Sequence, residues 1–236
     1  MSLSSSRQKQ LRQFIQKLGL SEHVPVVWEL LDRALTHPTA SVEANYERLE
    51  FVGDAVIRLA AAEFLFSSFP EADEGEMAAI RSVLVSDRTL AQIAESYGLD
   101  RYLIRSGSAL GDKVGKETRL AAAFEAILAA LFLSTHSLEL VHPWLDSHLQ
   151  HFTETIRQDP TLQNYKGALQ ALAQANYQTL PEYRVAEIGQ TYGDTERFVA
   201  EVWLNGQRWG AGKGQSKKAA EQAAAREAYT ALQHAV

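Results

Sequence analysis

Asn45-Tyr46-Glu47-Arg48-Leu49-Glu50-Phe51-Val52-Gly53-Asp54-Ala55-Val56 reads as a helix with a row of acids written into it. The acids stand at i, i+3 and i+7, a spacing that lines them along one side of a helix. Neighbouring like charges repel by a few tenths of a kcal/mol per pair. The row is therefore either a solvated face or a set of ligands. Glu50 and Asp54 are one turn apart and can reach one cation together; Glu47 lies roughly 10 Å of helix rise from Asp54 and is less suited to share it. Gly53 favours the second reading. A glycine inside a helix costs ~1 kcal/mol against alanine and is best tolerated where something packs close. With Leu49, Phe51, Val52, Val56 and Ile57 apolar, the helix is predicted to be mostly buried, and an acid row on a buried helix is not a solvent face.

The second informative stretch is Leu120-Ala121-Ala122-Ala123-Phe124-Glu125-Ala126-Ile127-Leu128-Ala129-Ala130-Leu131. A single acid sits in a segment that is apolar on every side, the pattern of a core helix. An unpaired buried carboxylate costs several kcal/mol, so Glu125 must be neutral, paired with a base or bound to a cation. If Glu125 packs against Glu50 and Asp54, three hard oxygen ligands converge. Magnesium suits such a set and fills its octahedron with water and phosphate oxygens; manganese is a workable substitute. A bound cation would activate a water and offset charge at a scissile phosphate.

Outward from these two helices, the pattern from Arg7 to Thr155 is helical throughout. Breaks fall at Ser67-Ser68-Phe69-Pro70, at Gly98 and between Gly107 and Gly115. Periodicity lapses at Gln158-Asp159-Pro160-Thr161, where the proline blocks helix continuation. The division expected is a helical domain over 1–157, a linker over 158–162 and a second domain over 163–236. In that second domain Lys166 to Gln174 reads as a helix. Tyr183 to Ile188, Phe198 to Leu204 and Gln207 to Ala211 read as strands, with Asn205-Gly206 a two-residue hairpin turn and Gly189 to Thr195 a longer one. Ser216 caps an alanine-rich helix to about Gln233. The fold class expected is an all-α domain followed by a small α-β-β-β-α domain.

Composition narrows the function. At 236 residues, 46% hydrophobic and 22% charged, the chain has the make-up of a soluble globular protein. It has no cysteine, which excludes disulfides and thiolate-bound zinc. The longest apolar run, Leu120 to Leu133, is interrupted by Glu125, and the N-terminus lacks an apolar signal core. A cytoplasmic enzyme without a membrane partner is expected. The formal charge is −6, of which residues 1–159 carry −7 and residues 160–236 carry +1. Neither part is strongly basic, so any grip on nucleic acid rests on local clusters and is salt-sensitive.

The block Glu47 to Val56 closely resembles the signature of ribonuclease III. Ala34-Leu35-Thr36-His37-Pro38, Asp73-Glu74-Gly75-Glu76-Met77 and Phe124-Glu125-Ala126 follow the same family in order and spacing, and Lys166 to Leu232 is similar to its double-stranded-RNA-binding domain. The resemblance covers nearly the whole chain. It implies a helical nuclease domain that dimerises to place two sites across one RNA duplex. Each site would hydrolyse one strand, leaving 5′-phosphates, 3′-hydroxyls and short 3′ overhangs, in the processing and maturation of ribosomal and messenger RNA. By match, Glu50, Asp54 and Glu125 become the magnesium ligands, with Asp54 and Glu125 catalytic. Glu47 and Glu74 match supporting acids of the catalytic valley. Phe51, which the residues alone assign to the core, matches an aromatic that inserts into the partner subunit.

One departure stands out. The family usually has Asp three residues before the last catalytic Glu, and here that position is Ala122. An acid there would share the Glu125 face and is expected to point at the ion, so metal binding is expected to be weaker or retuned. The same departure motivates the rival reading, a duplex-binding protein that has lost or impaired its chemistry. A third, a helical interaction module with an unrelated tail, predicts no duplex binding.

For the RNA grip, Gly212-Lys213-Gly214-Gln215-Ser216-Lys217-Lys218 leads into the last helix. Helix N-termini attract phosphate through free N–H groups and the dipole, and the lysines add full charges. A-form RNA is read by shape, through phosphates and 2′-hydroxyls. By resemblance, Lys213, Ser216, Lys217 and Lys218 contact the backbone, while Gln170 and the Gly189–Thr195 turn with Tyr192 reach minor grooves. Gly167 and Tyr192 stand where the family often has Thr and His. The glycine run is not a phosphate-binding P-loop, because Gly214 follows Lys213 where Ser or Thr is required. His37 is read as a structural hydrogen-bonder near a helix end, and Tyr183, Phe198 and Trp203 as core and sheet residues.

Overall fold

The computed structural model describes residues 3–106, 115–158, 164–188 and 196–234. The chain condenses into two compact units. One comprises Met1–Ser67 and Leu84–His151, the other Ser68–Val83 and Phe152–Val236. Most of Asp73-Glu74-Gly75-Glu76-Met77 and its helix thus gathers with the C-terminal elements, a grouping that differs from the sequence-based division at 157.

The first unit is helical. It contains α1 (Ser5–Lys17), α2 (Trp28–Ala34), nearly all of α3 (Glu47–Ser68), α5 (Asp87–Ser96), a 3-10 turn (Leu99–Arg101), α6 (Lys116–Thr135) and the first part of α7 (His142–Gln158). Local signals start these helices. Ser4 accepts from the Arg7 N–H to cap α1, and Ser86 accepts from the Thr89 N–H to cap α5. α6 is the axis of the core: α2 and α5 pack on it, and Leu120 to Phe124 and Ala126 to Leu131 are buried. Among the described residues, α6 is long and apolar enough to span a bilayer by length and composition alone. That corrects the expectation drawn from the interrupting Glu125. In the folded unit this apolar surface is the core of the domain. Phe124 meets Trp144 edge-on at 5.7 Å, and Trp144 meets Tyr97 at 5.6 Å, closing one end of that core.

The second unit contains α8 (Tyr165–Tyr177), β1 (Glu182–Glu187), β2 (Phe198–Leu204), β3 (Gln207–Gly214) and α9 (Lys217–Gln233). The strands form one antiparallel sheet in the order β1-β2-β3. Asn205 and Gly206 turn β2 into β3 with φ of 50° and 77°, the left-handed pair that a two-residue hairpin requires. β2 alternates strictly, burying Phe198, Ala200, Val202 and Leu204 against Leu169, Ala224, Ala228 and Leu232. β3 extends three residues past the expected Ala211 because Gly212 and Gly214 stay paired with Ala200 and Phe198. Glycine there is dictated by packing. A Cβ on Gly210 would come 2.5 Å from the Ala224 carbonyl oxygen, and one on Gly212 would overlap the Ala224 amide nitrogen.

Most of α4 (Glu74–Leu84) belongs to this unit as well. Ala79 joins its core, a Cβ on Gly75 would meet the Tyr229 ring at 2.8 Å, and Arg157 donates to Glu71 and Glu76 at 3.1 and 3.0 Å.

Candidate active site and nucleic-acid interface

The acid row of α3 is set in place by the residue before it. Asn45 donates to the Ser41 and Val42 carbonyls and accepts from the Glu47 N–H at 2.9 Å, fixing where the helix starts. One and a half turns later Gly53 meets α6. A Cβ at this position would overlap the Glu125 carbonyl and come within 2.9 Å of the Glu125 Cα. The two helices therefore touch backbone to backbone, which only glycine allows. That crossing carries Asp54 and Glu50 to the side of Glu125. Together with Glu47, Phe51 and Asp87 they line one open groove of about 530 Å³.

The groove is electrostatically loaded. Burial, then the charges of Asp54, Glu50 and Asp87, push the Glu125 carboxyl up to about 7, with Arg58 acting in the opposite direction. Burial, Glu47 and Asp87 raise Glu50 as well. Arg58 grips Asp54 through Nε at 2.9 and 3.0 Å and a second guanidinium nitrogen at 2.8 Å. Among the described residues, no three acids or histidines stand close enough to hold an ion as their side chains lie. The donor set nevertheless has the chemistry a hard divalent cation takes: carboxylates only, crowded enough to resist ionisation, with one turned to an arginine it can exchange.

The C-terminal unit presents a different surface. Ser216 caps α9 by accepting from the Ala219 N–H at 3.1 Å, and Lys217 and Lys218 stand exposed in the first turn. Lys213 points out from β3 and pairs with Glu196 at 2.8 Å. Gln170 is exposed on α8, whose start is capped by Asn164 accepting from the Gly167 N–H at 3.1 Å. A capped helix start with free N–H groups and two unburied cations is a phosphate-binding arrangement.

Residues 47–136 match the family profile described as Ribonuclease III domain, and residues 165–232 match the Double-stranded RNA binding motif. A Nostoc protein named Ribonuclease 3 2 is 59% identical over 96% of this chain and 93% of its own length. The chain belongs to the ribonuclease III family. A Synechocystis protein of the same name is 53% identical over 97% of this chain and 94% of its own, and a Gloeobacter violaceus Ribonuclease 3 is 49% identical over 99% and 96%. The activity of the family, endonucleolytic cleavage of double-stranded RNA, is the activity of this enzyme.

Against the ribonuclease III pattern, the structure brings Glu47, Glu50, Phe51, Asp54 and Glu125 to one groove. Glu74 lies in the other unit, at the first turn of α4, where it accepts from Gln233 Nε2 at 2.9 Å. Tyr192, the Gly189–Thr195 turn and most of the 158–162 linker lie outside the described residues. The expected burial of α3 holds at Leu49, Gly53, Val56 and Ile57 and is corrected at Phe51 and along the acid row. Glu47 is exposed, Glu50 and Asp54 are half-buried, and Phe51 is 84% exposed rather than core. Leu59 and Phe66, two and four turns on, are exposed on the same side.

Ala122 does not line the acid groove. It is buried and faces a second cavity of about 340 Å³ whose walls include His37, Tyr46, Glu47, Glu50 and Arg119. His37 behaves as expected: its Nδ1 accepts from the Thr39 N–H at 3.1 Å, and burial and the charges of Arg119 and Arg105 lower its pKa. Asp87 is the groove residue that sequence reasoning missed. After the capping Ser86 it reads as an ordinary first-turn acid, favourable to the helix dipole, and no motif links it to α3.

Proposed function

We propose that the enzyme is a magnesium-dependent phosphodiesterase that cuts both strands of an RNA duplex as a homodimer, leaving 5′-phosphate and 3′-hydroxyl ends with short 3′ overhangs. The observation that carries this reading is the Gly53 crossing, which gathers carboxylates of α3 and α6 around one groove. Glu50, Asp54 and Glu125 would hold the ion, with manganese a substitute. When bound, the ion supplies Lewis acidity at the phosphate and a water of lowered pKa.

The protein's own part is positional. Asp54 and Glu125 orient the attacking water and accept its proton. Glu50 closes the donor set, and Glu47 adds negative potential at the rim. Arg58 holds Asp54 in place until a cation competes for it. The second unit supplies affinity: the start of α9 and Lys213 take backbone phosphates, while Gln170 approaches a minor groove. The row Phe51, Leu59 and Phe66 gives α3 an exposed apolar face of the kind a second subunit covers.

The decisive experiment replaces Glu125 with Gln, which keeps the shape and removes the charge. Cleavage of long duplex RNA in Mg²⁺ is expected to fall by at least ~10³-fold, with duplex affinity unchanged in a gel-shift assay. Normal cutting by Glu125→Gln would overturn the metal-site assignment. Stable complexes without products from the unaltered chain would favour the binding-only reading.

A further inference from the structure

A cation stands beside the acids of α3. Arg58 lies one helical turn after Asp54, and its guanidinium takes both oxygens of that carboxylate. Nε donates to Oδ1 at 2.9 Å and to Oδ2 at 3.0 Å, and Nη2 lies 2.8 Å from Oδ1. Among the described residues Asp54 is its one hydrogen-bond partner, and Nη1 makes no bond. The Arg58 side chain is 55% exposed, so this pair rather than packing holds it. Exposed pairs of this kind are weak and readily exchanged.

The clasp and a bound ion compete for the same oxygens. A cation bonded to either Asp54 oxygen at about 2.1 Å would stand within about 5 Å of the guanidinium nitrogen on that oxygen. A double positive charge at that range repels the arginine, which then needs another anion. Glu125, whose charge also reaches Arg58, is assigned to the same ion. The incoming duplex brings phosphates, and the planar fork of an arginine matches the paired oxygens of a phosphate.

We propose that Arg58 is an exchangeable counter-ion, which clasps Asp54 in the metal-free enzyme and passes to a backbone phosphate of the duplex once a divalent ion takes Asp54. The inference rests on the reading of the groove as an ion site. It goes beyond that reading by assigning a contact with RNA to a residue outside the ligand set. Ion and duplex then favour each other reciprocally: the ion frees the arginine for RNA, and RNA draws the arginine off the ion's ligand. A groove of acids, repulsive to a polyanion, thereby gains one movable positive charge.

The test uses the full-length protein with Arg58→Gln and Arg58→Lys, and with Asp54→Asn as the control for the ion site. Mn²⁺ binding to the metal-free proteins is followed by calorimetry and by electron paramagnetic resonance of free Mn²⁺. Duplex binding is measured by gel shift in EDTA, and kcat and KM by cleavage of a long duplex at saturating Mg²⁺. Arg58→Gln is expected to bind Mn²⁺ at least ~3-fold more tightly, because a competing cation is gone. It should bind the duplex normally in EDTA, yet show a KM raised at least ~5-fold with kcat little changed. Arg58→Lys keeps the charge and loses the fork, and its KM should fall between the two. A loosened helix cannot tighten one ligand and weaken the other. Unchanged or weaker Mn²⁺ binding by Arg58→Gln overturns the proposal, as does an unchanged KM. Weaker duplex binding in EDTA overturns it too, since Arg58 would then belong to a permanent RNA surface. If Asp54→Asn binds Mn²⁺ as the unaltered chain does, the ion site itself is misassigned, an outcome distinct from the failure of Arg58 alone.

Discussion

The RNA-binding tail and the acid groove are built in opposite ways. In the tail, most of the surface is built from neighbours in sequence: β2 turns at Asn205-Gly206 into β3, and β3 leads at Ser216 into the helix that covers it, with α8 packing on that helix from farther off. In the groove, nothing local suffices. Its acids come from α3, α5 and α6, and one glycine decides how near α3 and α6 lie. Short-range construction makes a surface robust; long-range construction makes a site precise and leaves it exposed to a single added methyl group.

Gly53→Ala is the sharpest way to break that difference, with a larger effect than any change to the tail. The methyl group has backbone in its way rather than a side chain that could swing aside, so α3 must move off α6. Overpacking of this kind costs about 1–3 kcal/mol or more. A displacement of even ~1 Å at the carboxylates is expected to cut activity by ~100-fold. Duplex binding is expected to survive. Gly212→Ala meets the Ala224 backbone in the same way and should do the reverse, weakening duplex binding first. Gel shifts and cleavage assays on both variants check the pair; equal loss of both functions in both would show that the regions are not separately built.

How much was legible follows the same division. The tail's hairpin, its helix cap and its element order are written in neighbouring residues, and the structure moves strand ends by only a few positions. β3 ran long because its glycines look like a break and are in fact packing contacts. In the groove, Glu47, Glu50, Asp54 and Glu125 were legible because a helical period and an isolated acid in an apolar helix are sequence patterns. Asp87 was not, since a first-turn acid after a serine is what any helix start shows. Phe51 was assigned to the core from its hydrophobicity, but its neighbours turn out to be acids and solvent.

The second expected effect concerns pH. The Glu125 carboxyl titrates at about 7 in the folded protein, above its value of 4.5 in an unfolded chain. Folding therefore favours the protonated form. The stability this contributes is fully present below about 4.5 and lost as pH rises through 7. With allowance for partial exposure, the cost at pH 8 is on the order of 1–2 kcal/mol. Glu125→Gln is expected to gain that much over the unaltered chain at pH 8 in EDTA, and nothing near pH 4.5. Mg²⁺ should stabilise the unaltered chain at pH 8 and not the Gln variant. Urea denaturation at the two pH values measures both.

In the tail, effects are expected to be smaller and salt-dependent. Replacing Lys217 and Lys218 together with Ala removes two exposed cations from the start of α9 while the Ser216 cap stays. Affinity for duplex RNA should fall by roughly tenfold at moderate salt, and the slope of log affinity against log salt should flatten by about 1–2. An unchanged slope would place the phosphate contacts elsewhere.

The smallest expected effect tests whether the tail is tuned as well as built. Lys213 pairs with Glu196 at 2.8 Å, and both side chains are more than half exposed. Such a pair contributes little to stability, about 0–1 kcal/mol, yet it places a carboxylate beside an ammonium assigned to phosphate. Duplex binding must displace or tolerate it. Glu196→Gln removes the charge and keeps the shape. It should tighten duplex binding about two- to threefold at low salt, an advantage that screening erases as the Debye length shrinks below ~10 Å. Stability should stay within about 0.5 kcal/mol. Weaker binding by this variant would mean that Glu196 holds Lys213 in its working orientation, and that the tail, like the groove, depends on an acid to place its neighbour.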